Sequence, residues 1–126
     1  MNPRILIAGV ALAIILAACS DGGSTPSASP PPEGDLSVTA QDNAFDKPTI
    51  TLTAGEATTV FFRNQDQARH NIAIYTDDSA SASLFVGDTI SDGAVTYEIP
   101  ALEPGEYFFR CDVHPSMNGV VVVEAA

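Results

Sequence analysis

Tryptophan is absent from the 126-residue chain, and His, Met and Cys occur only twice each. Basic residues are scarce too: 5 Lys and Arg stand against 16 Asp and Glu, for a formal net charge of −11. A chain this acidic has no electrostatic grip on DNA, RNA or anionic lipid headgroups, which excludes nucleic-acid binding as its activity. A long apolar run is also lacking. The run from Ile5 to Leu16 is shorter than the ~20 residues that a membrane-spanning helix needs. At this length there is room for one domain.

What the N-terminus does contain is an export pattern: a charged start at Arg4, the apolar stretch, then small residues before a cysteine in Leu16-Ala17-Ala18-Cys19. This run resembles the bacterial lipobox, and the resemblance implies a signal peptide over 1–18 that is removed and a lipidated Cys19. The alternative is an ordinary signal peptide followed by an incidental Cys. Acylation of Cys19 leaves Cys111 without a partner, so no intrachain disulfide is expected. Loss of Arg4 with the signal leaves 4 basic residues against 16 acidic ones, a net of −12.

Ser20 to Gly34 has no aromatic or large aliphatic residue and cannot bury enough surface to offset chain entropy. With Cys19 it reads as a disordered tether over 19–34, stiffened by Pro30, Pro31 and Pro32. A folded domain is expected over 35–126.

From Asp35 onward, short alternating runs are broken by turn residues, and helical periodicity is missing. Leu36/Val38/Ala40, Ile50/Leu52, Val60–Phe62, Ile72–Tyr75, Val95–Ile99, Tyr107–Cys111 and Val120–Glu124 predict about seven to eight strands, an all-β fold of Greek-key β-sandwich type. Asp77 to Gly87 is too polar and small-residue-rich to place and suits a loop or a short helix. Side chains alternate along a strand, so Tyr107, Phe109 and Cys111 share the inward face and Arg110 the other. The same parity sets His70 with Ile72 and Ile74 at the start of its strand, opposite Asn71 and Tyr75.

After removal of 1–18 the chain keeps His70, His114, Met117 and one unmodified thiol, Cys111. Three of them fall in Cys111-Asp112-Val113-His114-Pro115-Ser116-Met117, a Cys-x2-His-x2-Met spacing that lets one loop wrap a small ion. Each has an ordinary alternative: an inward Cys packs a core, a His is a satisfied polar residue, a Met fills space. Together, two imidazoles, a thiolate and a thioether are the donor set of electron-transfer copper sites.

Tyr107 to Glu124 (YFFRCDVHPSMNGVVVVE) resembles the C-terminal copper loop of the cupredoxins, the small type 1 blue copper proteins, in its amicyanin- and plastocyanin-like form. His70-Asn71 is similar to the family's His-Asn pair, and Asp42-Asn43-Ala44-Phe45, Ile50-Thr51-Leu52 and Ala54-Gly55 to its N-terminal strands. The resemblance implies one type 1 copper held by His70, Cys111 and His114 equatorially and Met117 axially. It gives Asn71 a backbone N–H aimed at the Cys111 sulfur and a side chain aimed at the loop near Asp112. Where these relatives carry Pro two residues after the Cys, this chain has Val113, whose N–H could supply a second donor to the sulfur.

The function implied is a non-enzymatic one-electron carrier on the extracytoplasmic side of the cell envelope, monomeric and anchored to the membrane through Cys19. Its partner would be a redox protein; the acidic charge suits steering of a basic docking surface on that partner, and suits solubility or salt adaptation equally well. Three rivals are a copper-binding lipoprotein for delivery or protection, a metal-free interaction module, and a Cys-His nucleophile, for which Met117 and a second His have no use.

Overall fold

The computed structural model describes residues 36–126. The expected signal peptide 1–18, lipidated Cys19 and tether 19–34 lie outside the described residues. Within them are nine strands and no helix: β1 (Leu36–Gln41), β2 (Ala44–Phe45), β3 (Thr49–Thr53), β4 (Thr58–Asn64), β5 (Ala73–Tyr75), β6 (Ser83–Val86), β7 (Gly93–Ile99), β8 (Gly105–Arg110) and β9 (Asn118–Glu124).

They form two mixed sheets, ordered β2-β1-β4-β7 and β3-β9-β8-β5-β6. Strands β1 and β4 run parallel, as do β3 and β9, and the other neighbours are antiparallel. The chain therefore crosses between sheets rather than meandering within one, and the two apolar faces close on each other as a sandwich.

Alternation explains why these segments are strands. Ile50 and Leu52 of β3, Val60 and Phe62 of β4, and Val121 and Val123 of β9 are buried, while the residues between them are exposed or half-buried. The centre is aromatic: Phe62 stacks on Tyr97 with centroids 5.5 Å apart, and Phe45 lies 5.2 Å from Phe109. Burial of such rings is the main favourable contribution to folding.

The alternation fails in β5, where all three residues are buried. Its outer face is roofed by the Arg110 guanidinium, 4.9 Å from the centre of the Tyr75 ring.

Two differences from the sequence reading stand out. Within the stretch 77–87, which suited a loop or short helix, Ser83–Val86 is a strand pairing with β5, and Leu84 and Phe85 pack on the core. Its neighbour β5 begins only at Ala73, so His70 precedes the strand and is held instead by an isolated bridge to Ile90.

The β1–β2 hairpin turns on Asp42 and Asn43, with φ of 55° and 56°. A two-residue hairpin loop needs positive φ at both positions, and Asp and Asn tolerate it better than most residues do. This turn lies at the same end of the sandwich as the loop joining β8 to β9. Because β4 runs parallel to β1, the loop that follows Asn64 and leads to His70 also lies there.

Candidate metal centre

Each prospective ligand reaches this end for a local reason. Cys111 follows β8 on the inward face with Phe109, and both are fully buried. The next six residues leave the sheet and return, closed by Cys111 N–H donating to the Met117 carbonyl and Met117 N–H to that of His114, each at 2.9 Å. Met117 is thereby folded under the loop and buried within the core cluster. His114, on the outer limb, is half-buried.

His70 comes from the other side. Asn64, a buried polar residue at an inward position of β4, donates to the carbonyls of Ala68 and Ile90 and accepts the Asp66 N–H. These three bonds shape the loop that delivers His70, whose backbone exchanges two hydrogen bonds with Ile90.

The result is a convergence. Donor atoms of His70, Cys111 and His114 all lie within 4.8 Å of one another. His70 Nδ1 is 3.6 Å from Cys111 Sγ and 3.2 Å from His114 Nδ1. Donors that share an ion with bonds of about 2.0–2.3 Å cannot sit more than ~4.6 Å apart, and both contacts satisfy that bound. A soft thiolate with two imidazoles suits copper.

The surrounding residues orient these ligands. Asn71 accepts the Asp112 N–H at 2.8 Å and donates to the Gly87 carbonyl at 2.9 Å, tying the ligand loop to the β5–β6 side. Asp112 is gripped again by the Tyr75 hydroxyl (2.7 Å) and Arg110 Nε (3.0 Å), both on Oδ1. That hydrogen bond, followed by burial, pushes the Tyr75 phenol above its ordinary pKa.

Asp66 Oδ2 contacts His70 Nε2 at 2.9 Å. The backbone N–H of Asn43, then that of Asp42, hold the Asp66 carboxyl below the usual carboxylate range, with His70 adding to the effect.

Of the expected roles, the Asn71 side chain reaches the loop near Asp112 as anticipated. The Cys111 sulfur contacts His70 Nδ1 at 3.6 Å. The chain turns outward at Val113, whose side chain is 46% exposed.

Asn64 and Asp66 were missed in the sequence. Asn64 had a readable signal, a polar residue in step with inward Val60 and Phe62. Asp66, one acid among 16, had none.

An all-β sandwich gathering two imidazoles and a buried thiol at one end defines a mononuclear copper protein. The sequence matches the family described as "Cupredoxin-like domain" over residues 7–123, and the chain belongs to that family. Copper is the cofactor that this family and this donor set define.

The chain is 30% identical over 108 residues to auracyanin-A of Chloroflexus aurantiacus, covering 80% of this chain and 67% of the relative. It is 34% identical over 77 residues to amicyanin of Paracoccus versutus, covering 61% and 55% respectively. It thus spans between about half and two thirds of the length of these relatives. The crystal structure of that amicyanin superposes with a TM-score of 0.58 at 30% identity over 74% of this chain and 84% of the other. Reduced auracyanin from Roseiflexus castenholzii superposes with a TM-score of 0.64 over 71% of this chain and 96% of the other, and at 22% identity this likeness speaks for the fold alone.

Proposed function

We propose that the protein is a one-electron carrier whose copper alternates between Cu(II) and Cu(I), with His70, Cys111 and His114 as equatorial ligands and Met117 as the axial one. The observation that carries this reading is the convergence of three donor atoms within 4.8 Å at a buried end of the sandwich. The protein supplies every donor from its own side chains, which leaves no role for a bound substrate and accords with a non-enzymatic function.

Burial also favours a carrier over a delivery protein. His70 and Cys111 are fully buried and Met117 is nearly so, whereas handing copper to an acceptor requires ligands that another protein can reach. His114 is the half-buried member of the set and the natural port for electrons. Its Nδ1 faces His70, which leaves the opposite ring edge toward the surface. The partner in this reading is a redox protein, and a basic docking face on it would complement the net charge of −11.

The test is loading with Cu(II): the protein should bind one copper and turn intensely blue or green through thiolate-to-copper charge transfer. It should also retain that copper through repeated reduction and oxidation in the presence of an acceptor protein. A colourless, weakly bound adduct would remove the carrier reading, and rapid transfer to the acceptor would favour delivery.

The reading places the carrier outside the cytoplasm as a lipid-anchored monomer, with domain 35–126 held off the membrane by the 19–34 tether. Full-length protein made in bacteria should partition with membranes, and Cys19→Ala should release it to the soluble fraction. An unacylated mature N-terminus in mass spectrometry would refute the anchor.

A further inference from the structure

The Asp66 carboxylate sits in a constrained position. Oδ1 accepts the Asp42 N–H at 2.8 Å, and Oδ2 accepts the Asn43 N–H at 3.0 Å and faces His70 Nε2 at 2.9 Å. Both amides belong to the positive-φ turn of the β1–β2 hairpin. The Asp66 backbone is held as well, its N–H by Asn64 Oδ1 and its carbonyl by the Asp92 N–H. The His70 ring it touches is completely buried, so no water competes for Nε2.

We propose that Asp66 is a positioning residue for the metal centre: it fixes His70 as the Nε2–H tautomer, presents the Nδ1 lone pair to copper, and lowers the reduction potential of the site. This rests on the copper-carrier reading. An ionised carboxylate can only accept hydrogen bonds, so the proton at this contact belongs to His70 Nε2. A neutral imidazole with its proton on Nε2 has its lone pair on Nδ1, the atom that faces Cys111 Sγ and His114 Nδ1.

Without an acceptor at Nε2, the proton could equally occupy Nδ1 and block the donor. A carboxylate on the far nitrogen also makes the imidazole a stronger donor, which favours the more highly charged oxidised ion. The β1–β2 turn thereby becomes part of the site, since its two amides hold the acceptor in place.

The experiment uses two variants and a control. Asp66→Ala removes the acceptor; Asp66→Asn removes the charge while keeping one carbonyl oxygen. Glu56→Gln makes the same charge change at the far end of the sandwich, in the β3–β4 turn. In the metal-free protein, long-range proton–nitrogen NMR should find His70 protonated at Nε2 in the wild type and in a mixture of tautomers in Asp66→Ala. In the copper-loaded protein, Asp66→Asn should shift the potential upward relative to Glu56→Gln, and Asp66→Ala should weaken Cu(II) binding by about 10- to 100-fold in chelator competition.

If Asp66→Ala fails to fold, the potential of Asp66→Asn decides alone. An unchanged tautomer in a folded Asp66→Ala, or a potential in Asp66→Asn no higher than in Glu56→Gln, overturns the proposal while leaving the copper reading intact. A wild-type protein without a charge-transfer band overturns the copper reading instead, and the NMR result on metal-free protein is still read on its own.

Discussion

Cys111→Ser is expected to abolish the visible band entirely and to weaken Cu(II) binding by more than the ~10- to 100-fold typical of losing a residue behind a ligand. The thiol gives up its proton on metal binding and becomes a soft, polarisable anion, and the colour arises from charge moving from that sulfur to copper. A serine hydroxyl keeps its proton at neutral pH and is a hard, weak donor, so neither the affinity nor the band survives. Folding offers no competing explanation. Serine is slightly smaller than cysteine, and the buried oxygen would have His70 Nδ1, now 3.6 Å from the sulfur, as a hydrogen-bond partner. The expected cost to stability is therefore about 1 kcal/mol, the scale of one imperfectly satisfied buried polar group. Far-UV circular dichroism of the colourless variant should match the wild type. A variant that stays blue would place the thiolate elsewhere.

Much of the fold is legible in the sequence through the two-residue period of a strand. Parity turned Phe109 and Cys111 inward, and alternation marked Ile50 and Leu52; all four are buried. Parity lost its force where both sides of a strand are covered: Ala73, Ile74 and Tyr75 are all buried, because Arg110 and Asp112 roof the outer face. Strand β6 was illegible for a different reason. Its four residues include only Leu84 and Phe85 as anchors, and its partner β5 is itself just three residues long. Tertiary pairing rather than local preference makes it a strand.

At the metal centre, rarity made the ligands readable, since a chain with two His and two Cys leaves few combinations to weigh. The groups behind the ligands had no such advantage. Asp66 is an unremarkable acid until the loop shaped by Asn64 folds it onto His70.

Gly119→Ala is expected to destabilise the metal-free protein by about 1–3 kcal/mol, read as a lower urea midpoint, and Gly119→Val by more. Gly119 pairs with Phe109 across β8 and β9. A Cβ there would sit 2.6 Å from Cε1 and 2.8 Å from Cζ of the Phe109 ring, and against the Pro48 carbonyl oxygen. Neither neighbour can yield cheaply. The Phe109 ring is fully buried against Phe45, and the Pro48 carbonyl accepts the Val120 N–H at 3.0 Å. Replacing glycine does restrict the unfolded chain, a gain of about 0.4–1 kcal/mol where the native geometry accepts a side chain. Here overpacking outweighs it. Against a total stability of roughly 5–15 kcal/mol, the Val variant approaches the point of unfolding. Gly93→Ala separates the two effects, because the nearest atom to its Cβ is the Ser91 carbonyl oxygen at an ordinary 3.5 Å, and its midpoint should hold or rise. The damage should also reach the metal: Phe109 lies two residues before Cys111 on the same strand face, so displacing its ring shifts the thiol relative to His70. A copper-loaded Gly119→Ala protein should therefore show a displaced or weakened charge-transfer band, and a midpoint equal to the wild type would show that the sandwich yields at this contact.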